Sequence, residues 1–178
     1  MRFTLLDRIV CLEPGQRITA VKSLSAAEEY LADHFPMFPV MPGVLMLEAM
    51  TQAGAWLIRA SEDFEHGLIV LKEARNVKYS QFVSPGQTLT VTAEITSQGP
   101  RETKLKAEGT VDGEARVSAR LVLERFDLVA EGLGSRAADM YMKREQRRLF
   151  AVLCGPPAAV PAESSDPSAE AKTAQLVK

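Results

Sequence analysis

Residues 34–52 read HFPMFPVMPGVLMLEAMTQ, and this stretch decides the fold of the chain. Its prolines recur at every third position from Pro36 to Pro42. They predict an extended segment close to polyproline II, because proline fixes φ and disfavours helix in the residue before it. Residues 43–59 then form the longest helical pattern, rich in leucine, methionine and alanine. This helix is apolar on nearly every side, which predicts that it is buried.

Strand patterns lie on both sides of this helix. Residues 5–23 predict a hairpin around a Pro-Gly turn. Four strand-like runs follow the helix, at about 68–79, 88–97, 102–111 and 114–126. An antiparallel sheet of about five to six strands, wrapped around one long central helix, satisfies this order because the helix needs cover on most sides. We therefore expect an α+β fold, whose sheet edges favour pairing with a second chain.

The 178 residues divide into three parts of unlike composition. Residues 1–126 hold the helix and the strand patterns. Residues 127–154 predict a C-terminal helical extension, with the helix itself over 131–150. Residues 155–178 contain four of the ten prolines and no aromatic residue. Such a segment buries too little apolar surface to offset the entropy of ordering it, so we predict a disordered tail.

Composition excludes several functional classes. The net charge of −2 argues against non-specific nucleic-acid binding. Two cysteines and two histidines are too few for a disulfide framework or a multi-histidine metal site. No run reaches the roughly 20 apolar residues that span a bilayer, so we expect no membrane insertion and a cytoplasmic location.

His34 and Glu48 are the residues that point to chemistry. Glu48 lies in the second turn of the apolar helix without a cation nearby, and Gln52 one turn later could donate a hydrogen bond to it. The helix begins at Gly43, where free N–H groups favour an anion or a developing oxyanion. A base, an acid and an oxyanion site suffice to remove a proton alpha to a carbonyl. The alternatives are a surface glutamate and a loop histidine without a role.

Geometry predicts how these two side chains meet. A straight polyproline II segment over residues 36–42 would span about 20 Å. His34 and Glu48 of one chain would then not touch. We therefore predict that they meet across a two-fold axis, with His34 of one subunit facing Glu48 of the other.

Short motifs in this region resemble a known family. The sequences HFP at 34–36, PVMPGVL at 39–45 and EAM at 48–50 closely resemble the signature of the 3-hydroxyacyl-[acyl-carrier-protein] dehydratases of the FabZ/FabA type. That family has the hot-dog fold. Residues 5–18, 83–86 and 111–114 resemble its first hairpin, its middle turn and its last hairpin, so the resemblance covers about residues 4–126.

The resemblance implies a mechanism. His34 would take the C2 proton of a (3R)-3-hydroxyacyl thioester, and the partner subunit's Glu48 would protonate the leaving hydroxyl. The Gly43 N–H would polarise the thioester carbonyl. The acyl tunnel beside the helix would include Phe35, Met37, Val44, Leu45 and Gln52. The resemblance implies no metal and no redox cofactor, acyl carrier protein as partner, and a homodimer or a trimer of dimers.

Two features depart from the family pattern. Met37 stands where the family usually has glycine, so it could reshape the acyl site or be a harmless filler. The 131–150 helix is not part of the family core. It could be a solvated face, a docking surface for an acidic carrier, or an oligomer contact through Met140, Tyr141, Leu149 and Phe150. The alternative functions are a non-catalytic acyl-carrier-binding or scaffold protein of the same fold, and an acyl thioesterase.

Overall fold

The structure, a computed structural model, describes residues 3–155. The tail predicted from Gly155 onward lies outside them except for that glycine. The strands are β1 Arg8–Glu13, β2 Arg17–Ser23, β3 Leu68–Tyr79, β4 Thr88–Gln98, β5 Glu102–Val111 and β6 Glu114–Phe126. The helices are α1 Tyr30–Asp33, α2 Gly43–Ser61 and α3 Arg136–Cys154.

The six strands form one antiparallel sheet in the order β1-β2-β4-β5-β6-β3. The inward positions of β4 and β5 alternate with exposed ones, and Leu89, Val91 and Leu105 are almost completely buried. These side chains pack with the middle of α2, where Ala53, Leu57 and others form the same core. The structure confirms the predicted α+β arrangement of a sheet around one long central helix.

The turn between β5 and β6 follows directly from its sequence. Asp112 and Gly113 have φ of 53° and 83°, so both lie in the left-handed region. This is the backbone that a two-residue hairpin of type I′ requires, and Asp-Gly is among its preferred pairs. The turn therefore fixes the register of the hairpin that closes the sheet over α2.

The prediction of a straight polyproline II segment over residues 36–42 is wrong. Phe35 has a φ of 49°, and the Phe38 N–H donates to the Phe35 carbonyl at 2.7 Å, which closes a turn. Pro36 sits at the second position of this turn, a position that proline also favours. Met37 does not have a positive φ, so the turn does not need glycine there. The residues after the turn run back to the core, where the Met41 N–H donates to the Val83 carbonyl at 2.8 Å.

Helix α3 packs on the C-terminal end of α2. Ser135 caps it by accepting a hydrogen bond from the Ala138 N–H, so the helix begins five residues later than predicted and ends at Cys154. The Phe150 ring lies 5.9 Å from the Trp56 ring and 5.4 Å from the Phe64 ring, between centroids. Phe150 is therefore engaged in the core of its own chain, which leaves less of the helix for the oligomer contact considered above. Within residues 3–155, none of the helices has the length and apolar character to cross a bilayer.

Candidate active site

His34 directly follows α1, and the local backbone presents its ring. The backbone N–H of His34 donates to the Tyr30 carbonyl at 3.1 Å. The next residue, Phe35, has a φ in the left-handed region. Non-glycine residues with positive φ are uncommon and are concentrated at functional sites. The half-buried imidazole lies 4.4 Å from the Phe35 ring, between centroids, and makes no hydrogen bond within residues 3–155. Its nitrogens are thus available to a substrate.

A cavity of about 340 Å³ opens beside this imidazole. It is lined by His34, Phe35, Met41, Gly43, Met46 and Tyr79 to Phe82. Three parts of the chain therefore converge on it, namely the turn after α1, the first turn of α2, and the segment that leaves β3. Its walls are largely apolar. The imidazole of His34 is a side chain of the kind that can act as a base near neutral pH.

The N-terminus of α2 supplies hydrogen-bond donors to the same cavity. Pro42 precedes the helix and provides no side-chain cap. The first bonds of the helix run from the N–H groups of Leu45 and Met46 to the Pro42 carbonyl, at 2.9 and 3.2 Å. The N–H groups of Gly43 and Val44 come before these bonds and belong to the unsatisfied donors of a helix start. Such a terminus favours a negative charge.

Tyr79 explains why glycine occupies position 43. A Cβ at Gly43 would lie 3.0 Å from Cε1 of the Tyr79 ring, which is tighter than ordinary van der Waals contact. The ring packs directly on the start of α2 and is half exposed to the cavity. Sequence reasoning did not select Tyr79, because its contact with Gly43 spans 36 positions and no local pattern encodes it.

Glu48 lies on a different face of α2 and is held by a chain of hydrogen bonds. The Gln52 side-chain amide donates to Glu48 Oε1 at 2.9 Å, as the spacing of four residues predicted. The same amide donates to the Phe3 carbonyl at 3.2 Å, and its oxygen accepts from the Leu5 N–H at 2.9 Å. The N-terminal segment thus fixes Gln52, and Gln52 orients the carboxylate. No lysine or arginine pairs with Glu48 within residues 3–155.

A second cavity, of about 400 Å³, lies beside Glu48. Its walls come from the N-terminal segment, α2, β3 and α3, and it is lined by Phe3, Thr4, Glu48, Thr51, Gln52, Ala55, Trp56, Arg59, Ile69 to Leu71 and Leu149. The side chains of His34 and Glu48 therefore line two separate cavities of one protomer.

Known proteins share both the sequence and the fold. Residues 1–122 match the FabA-like domain family. The chain is 38% identical over 119 residues to "3-hydroxyacyl-[acyl-carrier-protein] dehydratase FabZ" of Ruminiclostridium cellulolyticum, covering 67% of this chain and 84% of that protein. It is 34% identical over 126 residues to the protein of the same name from Listeria welshimeri, covering 71% and 88%. The chain belongs to the FabA-like dehydratase family.

Solved structures of lower identity have the same architecture. The dehydratase heterocomplex ApeI:P from Xenorhabdus doucetiae gives a TM-score of 0.59 at 17% identity, over 74% of this chain and 90% of that one. The protein smu.793 from Streptococcus mutans, solved with acetyl CoA, gives 0.55 at 13% identity, over 71% and 93%. These similarities concern the fold alone, and with the family match they identify it as the hot-dog fold.

Helix geometry separates the two halves of the site in this family member. An α-helix turns by about 100° per residue, so Gly43 and Glu48 lie about 140° apart around the axis of α2. Because of the turn at residues 35–38, the length of an extended segment no longer separates His34 from Glu48. Their side chains are still apart, since they line different cavities. Met37 and Val44, predicted to line the acyl tunnel, are 97% and 67% exposed on the protomer. Phe35 is exposed, whereas Leu45 and Gln52 are half-buried.

Proposed function

We infer that this chain is a dehydratase that removes water from a (3R)-3-hydroxyacyl thioester on acyl carrier protein, giving the trans-2-enoyl thioester. The reaction belongs to fatty-acid synthesis or to a related polyketide or polyene route. One pairing of groups at α2 carries the inference. The His34 imidazole, which makes no hydrogen bond within residues 3–155, lies at the uncapped start of this helix, and the helix itself holds the Glu48 carboxylate in a fixed orientation. The named relatives of the family support the same activity.

We propose His34 as the base. The C2 proton beside a thioester is weakly acidic, so its removal needs a base and stabilisation of the negative charge that develops on the carbonyl oxygen. The neutral imidazole suits the first task near pH 7. The N–H of Gly43 lies at the same cavity and suits the second task, with the dipole of α2 adding to its effect.

We propose Glu48 as the acid. Hydroxide is a poor leaving group, so the 3-hydroxyl must receive a proton as the C–O bond breaks. The hydrogen bond from Gln52 holds one carboxyl oxygen, Oε1, and leaves the other oxygen for the substrate hydroxyl. The proton that His34 removes and the proton that Glu48 delivers balance the loss of one water molecule.

A complete site in this proposal needs two copies of the chain. His34 and Glu48 line separate cavities of one protomer, so the partner subunit's Glu48 completes the site at His34. Strand β3 is an edge of the sheet and leads directly to Tyr79 in the His34 cavity. Pairing across this edge would also cover the exposed Val44. Assembly of three such dimers, docking of the carrier and the cytoplasmic location stay predictions.

Mixed dimers test the shared site. We expect His34→Ala and Glu48→Gln each to abolish formation of enoyl thioester while the fold persists, as followed by circular dichroism. Dimers that pair a His34→Ala chain with a Glu48→Gln chain contain one intact site and should recover up to about half of the activity. Release of free thiol is measured in parallel to detect thioesterase activity. Full activity in either single variant, or no recovery in verified mixed dimers, would contradict the proposal.

A further inference from the structure

The cavity beside Glu48 extends along α2 to a cationic side chain that dehydration does not use. Glu48, Gln52, Trp56 and Arg59 are spaced by four, four and three residues, so they share one face of the helix. All four line this cavity. The helical rise places the Cα of Arg59 about 16 Å beyond that of Glu48, at the end of the cavity away from the reacting atoms.

Within residues 3–155, the half-buried Arg59 side chain has no ion-pair partner. Its Nε is buried and has no hydrogen-bond acceptor in the same part of the chain. Its Cζ lies 5.1 Å from the centroid of the Trp56 ring, which holds the cation against an apolar surface. Burial lowers the pKa of Arg59 to about 10, yet the side chain stays charged at neutral pH. A buried N–H without an acceptor is costly, so the position of Nε favours a ligand that brings one.

Helix α3 closes this end of the cavity. Leu149 lines the cavity wall, and Phe150 packs against Trp56 at 5.9 Å between ring centroids. The helix that lies outside the family match at residues 1–122 therefore shapes the distal part of the site.

We propose that this distal end binds a hydrogen-bond-accepting group, and best a carboxylate, at the far end of the acyl chain. The inference rests on the proposed function, because it takes the cavity beside Glu48 as the acyl site. The guanidinium fork matches a carboxylate through two parallel hydrogen bonds. A plain alkyl end would instead cover the cation without supplying an acceptor, and the site would discriminate against it.

Matched substrates test this specificity. The probes are 3-hydroxyacyl pantetheine thioesters of graded length, each made with a methyl, a keto or a carboxylate end. At the best length, we expect kcat/KM for the carboxylate to exceed that for the methyl by about tenfold to hundredfold, the range of one charge-assisted hydrogen bond. Arg59→Met should abolish this preference, so that the methyl and the carboxylate substrates no longer differ in kcat/KM in favour of the carboxylate. A preference for the keto over the carboxylate end would contradict the proposal that a carboxylate is the favoured ligand.

The control is Arg148→Met, the same substitution on the exposed surface of α3, which should leave the preference intact. Equal kcat/KM for all three ends in the wild type would overturn the inference. So would an Arg59→Met variant that loses activity equally on every probe, because Arg59 would then support the site as a whole and not the chain end. Arg59→Lys, which retains the charge, should keep part of the preference.

Hydration of a crotonyl thioester, too short to reach Arg59, is measured first. If the crotonyl thioester is not hydrated, the proposed dehydratase activity is refuted. If it is hydrated, the other probes test only the specificity for the chain end.

Discussion

Replacing Gln52 by methionine removes the donor that orients Glu48 and keeps the length of the side chain. In the structure, Gln52 donates to Glu48 Oε1 at 2.9 Å and accepts from the Leu5 N–H at 2.9 Å. Glu48 is protonated when it acts as the acid, and a hydrogen bond between neutral groups contributes about 0.5–1.5 kcal/mol. If that bond holds the carboxyl group in its reactive orientation, its loss lowers kcat by about 2- to 13-fold.

The same variant also leaves the Leu5 N–H without its acceptor. A part-buried donor without a partner costs about 1–3 kcal/mol, so the free energy of unfolding should fall by that amount. Gln52→Glu separates the two effects, because a carboxylate still accepts from Leu5 but repels Glu48 in place of donating to it. We expect Gln52→Glu to restore much of the stability without restoring kcat.

The assay is hydration of a crotonyl thioester, followed by the loss of enoyl absorbance, with urea unfolding measured on the same samples. A positioning role predicts a fall in kcat with little change in KM. The control is Gln98→Met, since Gln98 makes a similar bond of 2.7 Å to Glu62 and lines neither cavity. Wild-type kcat/KM in Gln52→Met would refute the argument that this amide orients the acid.

Three substitutions test the packing that supports the site, each by equilibrium urea unfolding. Gly109→Ala should lose about 1–3 kcal/mol, because its Cβ would lie 2.8 Å from a valine methyl group of β6. Phe150→Ala should lose about 1–3 kcal/mol by uncovering Trp56, a smaller effect than for a fully buried ring. Arg125→Met should lose about 3 kcal/mol, because it leaves the largely buried Glu62 carboxylate without its cation. An unchanged midpoint for any variant would contradict its packing argument.

The strands were predictable because their determinants are local. Alternation in the sequence matches the burial of Leu89, Val91 and Ala93, and the Asp112–Gly113 pair sets its own turn. The central helix was predictable from its length and its apolar composition. In each case neighbouring residues carry the whole signal.

The segment after His34 was mispredicted because proline spacing constrains φ and leaves chain direction open. Its course depends on the turn at Phe35 and on the bond between the Met41 N–H and the Val83 carbonyl, 42 positions away. The candidate site divides in the same way. The Glu48–Gln52 bond follows from helical spacing, whereas the contacts of Tyr79 with Gly43 and of Leu5 with Gln52 are formed only by the folded chain.

The placement of the two half-sites on α2 connects the chemistry to the assembly. A backbone oxyanion donor that belongs to α2 has to lie at the start of the helix, because only there are the N–H groups of the helix free. Glu48 lies five residues later and about 140° around the axis, beside a separate cavity. One helix therefore cannot present both groups to the same substrate. In the proposed dimer, a two-fold axis would bring the start of one α2 to the side of the other, and the two sites that result would be equivalent. In the proposed site, the acyl chain would then be bound along the α2 of the subunit that provides the acid, toward Arg59, so a single face of this helix would supply both the proton and the specificity for the chain end.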